Sequence, residues 1–139
     1  MGYLIDTCLI SELRRSVPSE SVKTWFQTCE ETQLFISVLT IGEIKYGIQR
    51  LANGKKKEEL QKWFNQVIDS FSNRVLPITQ HICITWAIMR STAENNGLQL
   101  SVIDGLLAAT AKENNLILVT RNIKDFEPTN INIVNPWNS

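Results

Sequence analysis

Histidine occurs once in this chain of 139 residues and cysteine three times, and its 14 basic and 14 acidic side chains cancel to no net charge. Each shortage removes a class of protein. His81 has Cys83 two residues on but no second histidine or further cysteine near it in sequence, so the four-ligand spacing of a zinc site is missing. Cys8, Cys29 and Cys83 are odd in number and widely separated. That fits neither a disulfide framework nor a zinc knuckle, and predicts three reduced thiols in a cytoplasmic protein. Balanced charge argues against a strongly electrostatic nucleic-acid binder, although it does not see local patches. It favours self-association or a partner over a lone monomer. No stretch approaches the ~18 apolar residues of a membrane span. The start, Met1 to Asp6, lacks the basic region and cleavage site of a signal peptide. Asp6 also stands where a lipidation motif needs Ser or Thr.

What is present is ordinary in bulk and patterned in detail. Hydrophobic content of 43% and charged content of 20% are those of a globular domain. A single domain, residues 1–139, is expected, long enough to bury roughly two thirds of its unfolded surface. Tyr3-Leu4-Ile5 is an apolar run that stops at Asp6-Thr7, and Leu116-Ile117-Leu118-Val119 is another that stops at Thr120. Uninterrupted runs of this kind mark strands buried on both faces. Leu34-Phe35-Ile36, Val75-Leu76-Pro77-Ile78 and Ile131 to Val134 read as further short strands.

Between them the spacing predicts helices over Thr7 to Arg15, Glu20 to Glu31, Thr40 to Leu51, Leu60 to Phe71, Ile82 to Ala93 and Val102 to Asn115. The stripe Leu60, Trp63, Phe64, Val67, Ile68 and Phe71 is core or subunit interface. Asn53-Gly54-Lys55-Lys56-Lys57 reads as a solvated turn whose lysines lie at the surface or touch a phosphate backbone. Helices alternating with strands in βα order predict a three-layer α/β/α sandwich with a mainly parallel central sheet.

Three carboxylates share a context. Asp6 ends a strand, where ligands bind in parallel α/β sheets; its alternative role is to cap the helix that follows. Glu43 comes three residues after Thr40, the spacing of a capping box, which by itself would explain it. Gly47, one turn beyond on the same face, weakens the helix and asks for a close approach by a ligand or a neighbouring helix. Asp104 follows Ser101 in the same way, near the start of an alanine-rich helix kept thin by Gly105, Ala108 and Ala109. Asp125, or a group near Asn122, completes the rim after Thr120.

Two carboxylates ~5 Å apart at an effective dielectric of 20 repel by roughly 3 kcal/mol. A hard divalent cation removes that cost, and oxygen-only ligation suits Mg²⁺ or Mn²⁺. Phosphodiester hydrolysis is the chemistry that uses such a site. First-turn acids are common for helix-dipole reasons alone, so a purely structural role for them stands beside the nuclease reading.

The order of these motifs carries a resemblance. Leu4-Ile5-Asp6-Thr7 with Ile10-Ser11-Glu12, Thr40-Ile41-Gly42-Glu43, Gly54-Lys55-Lys56-Lys57, Asp104 to Ala111, Val119-Thr120-Arg121-Asn122 and Asn135-Pro136-Trp137 follow one another along the whole chain. In this the chain resembles the PIN-domain family, that of the VapC toxins of bacterial toxin–antitoxin pairs, and in particular its FitB-type members. The resemblance implies a Mg²⁺- or Mn²⁺-dependent ribonuclease, held inactive by a small antitoxin encoded nearby. It also implies a homodimer, with operator DNA bound only through the antitoxin. Asp6, Glu43 and Asp104 fall on three family acids, and Thr7 and Thr120 on pocket-lining polar positions. Two positions depart from the family pattern. Cys8 stands where Asn is usual, and Asn122 stands where a fourth acid often follows Thr-Arg, leaving Asp125 to serve instead. The competing functions are a catalytically weakened interaction module and a nuclease acting on DNA.

Overall fold

The computed structural model describes residues 2–137. Five strands form its sheet: β1 (Gly2–Ile5), β2 (Leu34–Ser37), β3 (Val75–Leu76), β4 (Leu116–Val119) and β5 (Ile133–Val134). Every pairing is parallel, and the order across the sheet is β3-β2-β1-β4-β5. The seven helices are α1 (Thr7–Arg14), α2 (Glu20–Gln27), α3 (Val38–Gln49), α4 (Lys55–Ser70), α5 (Gln80–Asn95), α6 (Val102–Glu113) and α7 (Ile123–Phe126).

Alternation along β1 and β4 explains the layers. Leu4 and Leu118 point into a core completed by Ile82, Met89 and Ala93 of α5 and Leu107, Ala108 and Ala111 of α6. Ile5 and Val119 point the other way, toward Leu9, Val22, Ile44 and Phe64 from α1 to α4. Both faces of the sheet are therefore covered, which is why these strands read as unbroken apolar runs. The thin flank of α6 has a definite cause. A Cβ on Gly105 would stand 2.6 Å from Cδ1 of Trp86, so only glycine lets α5 and α6 close to this distance. The stripe on α4 is spent in the second core, with Phe64 buried and Trp63, Val67 and Phe71 packed against it.

Several boundaries differ from those expected. α2 ends at Gln27, and the residues up to Gln33 are occupied by a turn of 3₁₀ helix, Glu31–Gln33, instead. Lys55, Lys56 and Lys57 form the first turn of α4 rather than a loop, and the Lys57 ammonium donates to the Gln49 carbonyl and Asn53 Oδ1, both at 3.4 Å. β5 is only two residues long. Cys8, Cys29 and Cys83 are all free thiols. Among the described residues no helix is long and apolar enough to cross a membrane.

The topology fixes where a ligand can sit. From β1 the chain winds outward through β2 and β3, then returns to the other side of β1 to lay down β4 and β5. The connections that leave the carboxyl ends of β1 and β4 run in opposite directions across the sheet, which makes this the switch point at which open α/β sheets bind ligands. Asp6 follows one of these strands and Thr120 the other.

Candidate active site at the carboxyl edge of the sheet

Asp6 is held from three directions. As N-cap of α1 its Oδ1 accepts the Thr7 N–H at 2.8 Å. Its Oδ2 accepts the Thr120 hydroxyl at 2.8 Å and lies 3.8 Å from the Cys8 thiol. The capping role and the site role are thus one arrangement, because the hydrogen bond to Thr7 fixes the rotamer that presents Oδ2 to the crevice. Thr120 is fully buried, and its Oγ1 accepts the Asn122 N–H at 3.1 Å while donating to Asp6. Burial, together with the Asp6 charge, pushes the Cys8 thiol above its ordinary value, against an opposing hydrogen bond from the Arg121 backbone. Cys8 is therefore a protonated donor beside Asp6, not a thiolate.

Glu43 reaches the site by a route the sequence misplaced. The expected capping box at Thr40 and Glu43 does not form. α3 begins directly after β2, so Ser37 is its N-cap and accepts the Leu39 N–H at 3.0 Å. Thr40 lies inside the first turn, buried, and its hydroxyl has no hydrogen-bond partner among the described residues. Glu43 accordingly stands in the second turn, free of capping duty, and its Oε1 accepts the Thr7 hydroxyl at 2.7 Å. Thr7 thus touches Asp6 through its backbone and Glu43 through its side chain.

Asp104 occupies the expected place, third residue of α6, with its N–H donated to Ser101 Oγ at 3.2 Å. Its carboxyl is raised above the ordinary 3.8. Burial is the main cause, the Ser101 hydrogen bond opposes it, and the charges of Asp125 and then Asp6 add to it. Asp6 and Asp125 therefore both lie within electrostatic reach of Asp104, although the three come from separate parts of the chain. Asp125 projects from α7 and is exposed. Asn122 is the N-cap of α7 without a side-chain capping bond.

The donor set is carboxylate and hydroxyl oxygen, the chemistry a hard divalent cation requires. The like charges of Asp125 and Asp6 add to the burial that raises Asp104. Among the described residues, however, no three acidic, histidine or cysteine side chains converge tightly enough to hold an ion as they stand.

One acid of the sequence motifs lies elsewhere. Glu12, on the buried side of α1, accepts the Ser19 N–H at 2.8 Å and pairs with Arg15 at 3.3 Å. Its carboxyl is held below the ordinary 4.5, chiefly by the Ser19 hydrogen bond and then by Arg15, with Trp137 contributing. It ties α1 to the α1–α2 turn and to the tail. Sequence reading passed over Arg14 and placed Trp63 in a core or interface stripe; both line a recess that opens beside Thr7 and Glu43.

Fold and site define a parallel α/β domain with an acidic, oxygen-lined crevice at its topological switch point. The chain belongs to the PIN-domain family, whose model, described as PIN domain, matches residues 3–129. It is 34% identical to Toxin FitB of Neisseria gonorrhoeae over 135 residues, covering 96% of this chain and 97% of FitB. To the VapC ribonuclease Y4jK of Sinorhizobium fredii it is 29% identical over 135 residues, 96% of each chain. The solved structure of FitAB bound to an IR36 DNA fragment matches it with a TM-score of 0.92 and 33% identity, over 97% of this chain and 95% of that one.

Proposed function

We propose that this protein is the toxin of a toxin–antitoxin pair, an endoribonuclease that hydrolyses RNA phosphodiester bonds and depends on Mg²⁺ or Mn²⁺. The observation that carries it is the bridge at Thr7, whose N–H goes to Asp6 Oδ1 at 2.8 Å and whose hydroxyl goes to Glu43 Oε1 at 2.7 Å. Asp104 is near enough for the Asp125 and Asp6 charges to add to the burial that raises its carboxyl. Three acids gathered at the carboxyl edge of a sheet cost stability, and a protein retains such an arrangement where a cation or a reaction uses it. The names of the relatives, a toxin and a VapC ribonuclease, support the same reading.

Asp6, Asp104 and Glu43 would hold the cation, which when bound supplies charge neutralisation at the phosphoryl oxygens and a more acidic water. The rest falls to the protein's own groups. Thr120 and the Thr7 backbone fix Asp6, and the Thr7 hydroxyl fixes Glu43. Asp125 stands on the rim with its carboxylate exposed, placed to accept a proton from a water or hydroxyl entering the crevice. Cys8 donates weakly to Asp6 and adds no charge. Asn122 offers an uncharged amide near the fourth-acid position.

The partners follow from the same relationship: a small antitoxin encoded nearby, operator DNA bound only through that antitoxin, and a homodimer in the cytoplasm. The structure of FitAB bound to a DNA fragment supports the protein partner and the link to DNA.

Purified chain free of partner should cut RNA in Mg²⁺ or Mn²⁺ and stop on addition of EDTA. A second reading, a catalytically weakened interaction module, is favoured by the 3.8 Å Cys8–Asp6 contact and by the lack of a fourth acid at Asn122. RNA that is bound but never cut, with folded protein throughout, would establish the module and defeat the enzyme.

A further inference from the structure

Beside the acid crevice lies a recess of about 310 Å³ between α1, α3 and α4. Thr7 and Glu43 line one end, and it continues past Ser11 and Gly47 to Arg14 and Trp63. The volume is at the low end of small-ligand sites, roughly 300–1,000 Å³.

Two features of its wall ask for an occupant. Gly47 stands one turn beyond Glu43 on the same face of α3, and a Cβ built there meets nothing within 4 Å. Helix packing therefore does not require glycine, which costs up to ~1 kcal/mol against alanine inside a helix. What glycine does is leave the floor of the recess open.

Arg14 is the second feature. Its guanidinium lies over the Trp63 ring, 5.6 Å from the centroid. Among the described residues no ion pair engages it, whereas its neighbour Arg15 is paired with Glu12 at 3.3 Å. A cation seated on an aromatic face, engaged in no ion pair among the described residues and adjoining a phosphodiester site, suits a ligand that is anionic and planar. The recess on the far side of Trp63 differs in kind. It is lined by Leu13, Phe26, Val67 and Phe71 among others and holds no charged side chain, so it offers nothing to a phosphate.

We infer that the Gly47–Arg14 recess receives the nucleotide next to the scissile phosphate of a single-stranded RNA. Arg14 contacts its phosphate, and the Arg14–Trp63 stack takes its base. Guanidinium planes and aromatic rings are the surfaces on which unstacked bases settle. The inference rests on the ribonuclease reading above and adds where the strand runs: out of the crevice past Thr7, between α1 and α3.

Fluorescence anisotropy of a labelled single-stranded RNA tests it without turnover, in the full-length Asp104→Asn background, without added metal, across a salt series. Arg14→Ala should weaken binding about ten-fold and flatten the salt dependence by about 0.7, the value of one phosphate contact on a single strand. Gly47→Leu should weaken binding comparably while its thermal melt stays at or above that of the parent. Lys112→Ala removes the same charge at the opposite edge of the sheet and should change neither quantity.

The inference is overturned if Arg14→Ala and Gly47→Leu bind RNA as the Lys112→Ala protein does, or if the parent binds no RNA. It is equally overturned if both variants keep RNA affinity but lose a co-expressed protein partner, which would give the recess to a protein segment. Failure of the ribonuclease reading looks different: wild type would never cut RNA in any divalent metal, while the binding pattern of the variants persisted.

Discussion

The Thr120 hydroxyl donates to Asp6 Oδ2 at 2.8 Å, joining two residues 114 positions apart in the chain. The bond links the residues that follow the carboxyl ends of β1 and β4, which pair in register up to Ile5 and Val119. It therefore sets the orientation of the carboxylate at the point where the strand order reverses. Thr120→Val removes the hydroxyl while keeping the shape, leaves Asp6 Oδ2 with only the weak Cys8 thiol donor, and orphans the Asn122 N–H. Stability should fall by about 1–2 kcal/mol in urea denaturation, and RNA cleavage by about 10–100-fold, as for lost outer-shell support of a site. Thr120→Ser should restore most of both. Unchanged cleavage in the valine variant would remove Thr120 from the machinery.

Asp104 carries a cost that its function should explain. A carboxyl raised above 3.8 binds its proton more tightly in the folded state than in the unfolded one. Its contribution to stability therefore declines as pH rises through the interval from 3.8 up to the folded value. At neutral pH Asp104→Asn should be at least as stable as wild type, while cleavage drops by about 10²–10⁴. Added Mg²⁺ or Mn²⁺ should raise the wild-type Tm by mass action but leave that of the variant nearly unmoved. Calorimetric titration finding no wild-type binding at millimolar metal would contradict the cation reading.

The two departures from the family pattern can be tested by reverting them. Cys8→Asn replaces a weak thiol donor with an amide, and activity should stay equal or rise. Asn122→Asp adds a fourth acid. Increased metal-dependent cleavage would show the site to be one ligand short, and no change would assign that place to Asp125.

Glu12 should give the opposite pH signature to Asp104. Its carboxyl is held below 4.5 by the Ser19 N–H and Arg15, so the stability it contributes is present above 4.5 and lost as pH falls through its folded value. Glu12→Gln should lower the Tm at pH 7, with the difference from wild type closing toward acid pH. Differential scanning calorimetry at pH 7 and at successively lower pH measures this. A difference that is constant with pH would mean that shape, not charge, is what Glu12 supplies.

Light scattering of the purified chain at micromolar concentration tests the homodimer. A species of twice the chain mass is expected, and the monomer mass alone would refute it.

Much of this molecule was legible in one dimension. Unbroken apolar runs at Tyr3–Ile5 and Leu116–Val119 identify strands buried on both faces, because a side chain on either face of a covered sheet must be apolar. The residues that stop those runs mark the carboxyl edge, and Ser101 with Asp104 gives a cap whose partners are three residues apart. Local hydrogen bonding decides such features, so sequence spacing suffices.

Glu43 shows where spacing fails. Thr40 and Glu43 have the pattern of a capping box, yet Ser37 arrives first, because β2 runs straight into α3 without a loop. Where a helix starts depends on where its preceding strand ends, and that is set by pairing with β1 and β3. The placement of Glu12 was hidden for a similar reason: its partner Ser19 is near in sequence, but burial on one side of α1 against Trp137 is a property of the packed layers. Only the fold decided that Arg14, Gly47 and Trp63, on three different helices, would wall one recess beside Thr7. Strand order and helix crossing bring those helices together, and no periodicity within any one of them records it.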